Sequence, residues 1–309
     1  MYCVGLVTDF GGVSTGIQGE AWLALQDAEA AGLVDRIDRI ETVDTRDRLA
    51  NIEAFASQGY DVIVTVGSSI ADDTAVAAQQ HPDLLFIGVE QPQKTEIKNL
   101  AGLIFHEEQS GFLAGALAAM VTRTQHVAAV CESKFLDPVR RYCEGFHAGA
   151  NYVEPSVSVS VVYRDAPAEN VYQDKAWGQA EGLSQVLNGA DVVFAAGGDT
   201  AVAALEAAAA KQVLIIGTES DLFPELVTAR AELLTCAVND VRAGVLDLLQ
   251  RAHKGQLPAG NYFGQTGLSP YHDLESEVQV TVQDRILQLE QALDSGSLQL
   301  DIPYDNPVN

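Results

Sequence analysis

The sequence predicts an α/β protein built from two successive Rossmann-like lobes facing across a cleft, on three observations. Short, continuous apolar runs alternate with amphipathic stretches of helical period almost throughout. That is the pattern of a parallel sheet covered on both faces. The pattern restarts after residue 122, and 309 residues is too long for one compact core.

In the first unit, strand Val4–Thr8 is followed by a helix over Glu20–Ala31, and strand Ile37–Thr42 by a helix over Arg46–Gln58. Asp61–Val66 precedes a helix around Asp73–Gln80, Leu84–Val89 leads to Ala101–Phe105, and a helix covers Ser110–Val121. In the second, strands His126–Val130, Val157–Tyr163, Asp191–Ala195 and Val213–Ile216 alternate with helices Asp137–Ala150, Lys175–Asn188 and Asp199–Ala210. Strand Leu233–Val238 then runs into a helix over Asp240–Lys254. The remaining segment holds one strand near Tyr262–Thr266, a Ser-Pro crossing and an amphipathic helix over Gln283–Asp294. Lobe I is expected to comprise residues 1–122 plus about 240–268, and lobe II 123–239 plus about 269–309, with the C-terminal assignment open. No sequence repetition between the units is evident.

A net charge of −25 argues against nucleic acid and anionic membrane surfaces as partners, which need clustered Lys and Arg. It reads as a solvated acidic shell. With 47% hydrophobic residues a substantial core is expected, yet no run suits a membrane helix. Met1 lies directly before the first strand. The protein is therefore cytosolic, or its export signal lies outside this sequence. Cys3 and Cys236 sit in apolar strand-like runs and read as inert core. Cys131 and Cys143 are placed to meet across one strand–turn–helix unit; whether they pair is open, and a disulfide there requires an oxidising compartment.

Dinucleotide, triphosphate and serine-hydrolase motifs are absent, and the six histidines show no metal-site spacing, so no cofactor or metal is expected. His106, before Glu107-Glu108, reads as a solvated or capping residue. The polar residues gather instead at strand carboxyl ends: Asp9, Gly67-Ser68-Ser69 and Glu90-Gln91, then Gly197-Gly198-Asp199-Thr200 and Glu219-Ser220-Asp221. Open parallel sheets bind ligands at that edge. Carboxylates there accept paired hydrogen bonds from vicinal hydroxyls, at roughly 1.5–3 kcal/mol each. Asp199 and Asp221 serve equally well as helix N-caps. Phe10 and Tyr172, one from each unit, are positioned to sandwich a planar base, unless Phe10 is core and Tyr172 a plain loop residue.

The ordered motifs resemble the basic membrane protein family, also called the PnrA-like or Med-like group: substrate-binding components of ABC importers, commonly for purine nucleosides. The resemblance rests on Asp9-Phe10-Gly11-Gly12 with Ala21-Trp22, Asn99-Leu100-Ala101-Gly102, Ser110 through Gly115, Pro138-Val139, Gly145 through Gly149, Tyr172-Gln173-Asp174, Ala190 through Phe194, and Gly217 through Asp221. It implies a type I periplasmic-binding fold with a three-strand hinge, and ligand contacts from Asp9, Gln18, Tyr172, Glu219 and Asp221. Four departures follow. Ser14-Thr15 shortens the usual turn, which continues to Ile17-Gln18. Glu219 enlarges a carboxylate arm, Asn239 stands where a Lys is usual, and Tyr172 replaces a stacking Phe.

Together these readings give a non-catalytic, monomeric receptor for a nucleoside-like ligand, extracytoplasmic and lipid-anchored, delivering to a membrane permease. Its candidate site residues are Asp9, Phe10, Gln18, Ser68, Glu90, Tyr172, Gly197, Glu219, Asp221 and Asn239. The rivals are a nucleoside- or sugar-processing enzyme with Asp9 and Glu219 as general acid and base, and a cytosolic ligand sensor on the same fold.

Overall fold

A computed structural model of the chain describes residues 1–14, 16–165 and 171–303, so Thr15 of the shortened turn lies outside the described residues. The chain divides into two compact units. Unit 1 takes Met1–Phe105 and Asp240–Gln265; unit 2 takes His106–Asn239 and the described chain from Thr266 onward.

Unit 1 contains β1 (Cys3–Thr8), α1 (Gly16–Ala30), β2 (Arg36–Ile40), α2 (Arg48–Ala56), β3 (Val62–Val66), α3 (Ala71–Gln80), β4 (Leu85–Val89) and β5 (Leu100–Ile104). Unit 2 continues with α4 (Glu107–Val121), β6 (His126–Cys131), α5 (Asp137–Val153), β7 (Ser158–Tyr163), α6 (Lys175–Leu187), β8 (Val192–Ala196), α7 (Gly198–Ala209), β9 (Leu214–Glu219) and β10 (Leu233–Asn239). The chain returns to unit 1 for α8 (Val241–His253) and β11 (Gly260–Phe263), then to unit 2 for β12 (Thr266–Leu268) and α9 (Val280–Asp294).

The sheet of unit 1 runs β2-β1-β3-β4-β5-β11, all pairs parallel. That of unit 2 runs β7-β6-β8-β9-β10-β12, parallel except for the antiparallel β12. These are the α/β sheets that the alternating runs predict. Every residue of β3 and β5 is buried, as strands covered on both faces require. In unit 1, Leu25, Val245 and Leu248 from α1 and α8 cover one face, and Ile52, Phe55 and Ala77 from α2 and α3 the other. In unit 2, residues of α4, α5 and α9 such as Phe112, Phe146 and Leu289 cover one face, with Ala201, Ala204 and Leu205 of α7 opposite.

Three features differ from the sequence reading. The sequence assigned α4 to the first lobe, whereas it packs within unit 2 against α5, because glycines bring the two backbones together. A β-carbon added at Gly115 would lie 1.9 Å from the Phe146 carbonyl oxygen, and one at Gly149 1.9 Å from that of Phe112. The single strand expected near Tyr262–Thr266 is two strands, one in each sheet, parted at Gly264. The Gly264 N–H donates to the Ile104 carbonyl oxygen at 2.8 Å, and a β-carbon there would strike the Phe105 ring. Cys131 and Cys143, whose pairing the sequence leaves open, form a disulfide that ties the end of β6 to α5 across 6.6 Å between α-carbons.

Candidate functional site

In both sheets the chain reverses its order of strand addition after the second strand, at the gap between β1 and β3 and at that between β6 and β8. Such a topological switch splays the loops apart and leaves a crevice beyond the strand carboxyl ends.

In unit 1, Asp9 follows β1 at this gap. Its N–H donates to the Val66 carbonyl oxygen (3.0 Å), and Gln18 of α1 donates from Nε2 to Asp9 Oδ1 and to the Phe10 carbonyl oxygen, both at 2.9 Å. Arg48 of α2 donates from Nε to the Asp9 carbonyl oxygen (2.8 Å) and from Nη1 to that of Ser69 (3.1 Å). Across the gap Gly67 has φ 111°, and a β-carbon there would lie 2.3 Å from Asp9 Oδ2. Burial is the largest influence on Asp9 and lifts its carboxyl above its ordinary range. The Phe10 amide, the Arg48 charge, Gln18 and the Ser69 amide pull the other way. Phe10 is 52% exposed, so it is not core. Ser68 is exposed after β3, and Glu90 follows β4 with φ 59°. The neighbouring Gln91 is buried and braces the sheet, donating to Thr65 Oγ1 and the Gly67 carbonyl oxygen.

Unit 2 repeats this arrangement with different residues. Glu132 follows β6, its N–H donating to the Ala196 carbonyl oxygen at 2.9 Å, and Gly197 faces it with φ 120°. A β-carbon at Gly197 would lie 2.3 Å from the Glu132 β-carbon. Glu132 is 0% exposed; its Oε1 accepts from Arg164 Nε after β7, while its Oε2 has no partner among the described residues. Arg164, 5% exposed, also donates from Nη1 to Asp174 Oδ2 at 3.3 Å. Asp174 caps α6 by accepting from the Trp177 amide, and its own N–H donates to Thr200 Oγ1. The Thr200 N–H donates to the carbonyl oxygen of Tyr172, whose φ is 66° and whose β-carbon packs on Gly198.

Further along this edge, Glu219 ends β9 with φ 74°, and burial raises its carboxyl above the ordinary range. Asn239 ends β10 at 4% exposure, and neither its Oδ1 nor its Nδ2 has a partner among the described residues. Asp221 is held from two sides: Oδ2 lies 2.7 Å from His272 Nε2 and Oδ1 accepts from the Phe223 amide. Asp199 pairs with Lys175 at 3.0 Å.

Of the residues singled out in the sequence, Asp9, Phe10, Gln18, Ser68 and Glu90 thus gather on the edge of unit 1, and Tyr172, Gly197, Glu219, Asp221 and Asn239 on that of unit 2. Glu90, Tyr172 and Glu219 are all non-glycine residues with positive φ, a strained state that concentrates at functional positions. The sequence reading missed Glu132, Arg164, Asp174 and Arg48. A signal for the first existed: Val4 through Asp9 and Val127 through Glu132 run Val-x-x-Val-x-acid in the same register. Among the described residues no cluster of His, Cys, Asp and Glu is arranged to hold a metal ion, and no helix is long and apolar enough to cross a membrane.

Two doubly wound sheets joined by three chain crossings, each with polar groups at its switch point, define a type I periplasmic-binding fold. A protein described as an ABC transporter system solute-binding protein from Conexibacter woesei superposes with a TM-score of 0.79 at 21% identity, covering 98% of this chain and 99% of its own. Residues 16–267 match the family model for PnrA-like ABC transporter substrate-binding proteins, and the chain belongs to that family. It is 25% identical over 229 residues to the ABC transporter nucleoside-binding protein BmpA of Lactococcus lactis, an alignment spanning 69% of this chain and 63% of BmpA. It is 26% identical over 255 residues to the transcriptional activator protein med of Bacillus subtilis, spanning 81% of this chain and 75% of med.

Proposed function

We propose that this protein is the monomeric solute-binding receptor of an ABC importer. It captures a purine nucleoside or related metabolite at the carboxyl ends of its strands and hands it unchanged to a membrane permease. Asn239 is the observation that carries this reading. A buried amide with donor and acceptor both unmatched costs about 1–3 kcal/mol per group, and a ligand presenting the complementary pair offsets that cost. Asp9, Gln18, Glu219 and Asp221 supply acceptors and donors for ribose hydroxyls, with Phe10 and Tyr172 as stacking faces and Ser68, Glu90 and Gly197 lining the strand ends. The likeness to BmpA, a nucleoside-binding protein by name, supports a nucleoside. The disulfide supports an extracytoplasmic, oxidising location, where the protein is lipid-anchored.

A thermal-shift screen over nucleosides, free bases, flavins and sugars, followed by calorimetry, tests this. A nucleoside at one hundred times its Kd stabilises the protein by about 2.7 kcal/mol. If sugars or flavins raise Tm and no nucleoside does, the ligand class is wrong. Free base accumulating during incubation would overturn the absence of chemistry.

A further inference from the structure

Glu132 and Arg164 are a charge pair that the family resemblance does not account for, at the position where unit 2 repeats the Asp9 site of unit 1. Both follow their strands by one residue, and both are buried. Most buried carboxylates have both oxygens satisfied. Glu132 does not: Oε1 is taken by Arg164, and Oε2 is unmatched among the described residues. On Arg164, Nε serves Glu132 and one Nη1 proton serves Asp174, while the other N–H groups of the fork have no partner among the described residues. One planar acceptor and one planar donor therefore stand side by side.

The surroundings narrow what fits them. Two carboxylates, Glu132 and Asp174, share one guanidinium, so the pocket carries net negative charge and disfavours an anionic group. Gly197, with no side chain, lets the chain after β8 pack directly on Glu132, where a β-carbon would lie 2.3 Å from that of Glu132. Tyr172 belongs to the same assembly through its backbone: its carbonyl oxygen accepts from the Thr200 N–H, and the Thr200 hydroxyl accepts from the Asp174 N–H. The guanidinium fork matches flat acceptors better than the tetrahedral hydroxyls of a sugar.

We propose that Glu132 and Arg164 read the hydrogen-bonding edge of the ligand's base, Glu132 Oε2 accepting from a ring or exocyclic N–H and Arg164 donating to the adjacent carbonyl oxygen or ring nitrogen. This rests on the nucleoside reading above and adds the residues that set base selectivity. Adjacent donor and acceptor atoms of this kind occur on hypoxanthine, guanine and adenine, and methylating the donor nitrogen abolishes the pattern.

The test compares inosine with 1-methylinosine, guanosine with 1-methylguanosine, and adenosine with N6,N6-dimethyladenosine, by calorimetry on the intact protein and on Glu132→Gln. Methylation is expected to weaken binding to the native protein tenfold or more for whichever parent binds, and less than threefold in Glu132→Gln. Native protein that binds a parent and its methylated form equally well overturns the assignment while leaving the nucleoside reading intact. The assignment is likewise overturned if methylation costs as much in the variant as in the native protein. If none of the parents binds, both readings fall. Should Glu132→Gln not fold, as judged by its melting curve, the native comparison alone decides.

Discussion

Glu132 is fitted against Gly197 as Asp9 is against Gly67: each acid lies one residue past its strand, and each glycine has positive φ and no room for a β-carbon. The chain thus makes the same acid-on-glycine contact twice, at the switch point of each sheet. Gly67→Ala and Gly197→Ala should each destabilise the protein by more than about 2 kcal/mol, combining unfavourable φ with steric overlap. Urea unfolding measures this. A midpoint unchanged in both variants would show that the backbone relaxes freely at these sites.

Asn239 separates stability from binding. Leucine has nearly the same shape and no polar atoms to leave unmatched, so Asn239→Leu should keep or raise the stability of the unliganded protein, by up to about 2 kcal/mol. The same change should weaken ligand binding tenfold or more. A variant that loses stability and keeps its affinity would mean that the amide has a structural partner.

The bridge between Cys131 and Cys143 closes a short loop, for which about 3 kcal/mol of stabilisation is typical. Reductant should therefore lower Tm. Denatured, unreduced protein should expose two reactive thiols, those of Cys3 and Cys236. Four alkylated cysteines in mass spectra of unreduced protein would show the bridge absent.

Glu107 provides a pH signature. It is buried at the start of α4, and desolvation raises its pKa from 4.5 to about 8, with Glu108 and Asp137 adding to the rise and Arg141 opposing it. Between these values the unfolded chain has already lost the proton that the folded protein keeps, so this residue's contribution to stability falls as pH rises from about 4.5 to about 8. Glu107→Gln, which mimics the protonated form, should flatten Tm against pH over that interval. Parallel profiles for the two proteins would place the titration elsewhere.

Much of this architecture was legible in the sequence because the forces that write it are local and periodic. Runs such as Val62–Val66 are apolar at all but one position because helices cover both sheet faces, and Asp9 with its glycines announces a strand end. What escaped depends on contacts distant along the chain. Nothing near Ser110–Val121 reveals that the glycines of α4 dock on α5 rather than on the preceding sheet. Gly264 parts two strands only because Phe105 lies beneath it. Glu132 went unremarked because its partner Arg164 comes 32 residues later, and burial, which makes the pair informative, is invisible without the fold.

The returning strand β11 has a consequence for biosynthesis. It covers the edge of β5, yet Gly260 is synthesised about 150 residues after Ile104. At ribosomal rates that interval lasts on the order of 10–30 s. Throughout it the nascent first sheet carries a bare hydrogen-bonding rim, open to mispairing with neighbouring chains. Chaperone demand should accordingly peak after the first hundred residues emerge and subside once Phe263 clears the exit tunnel.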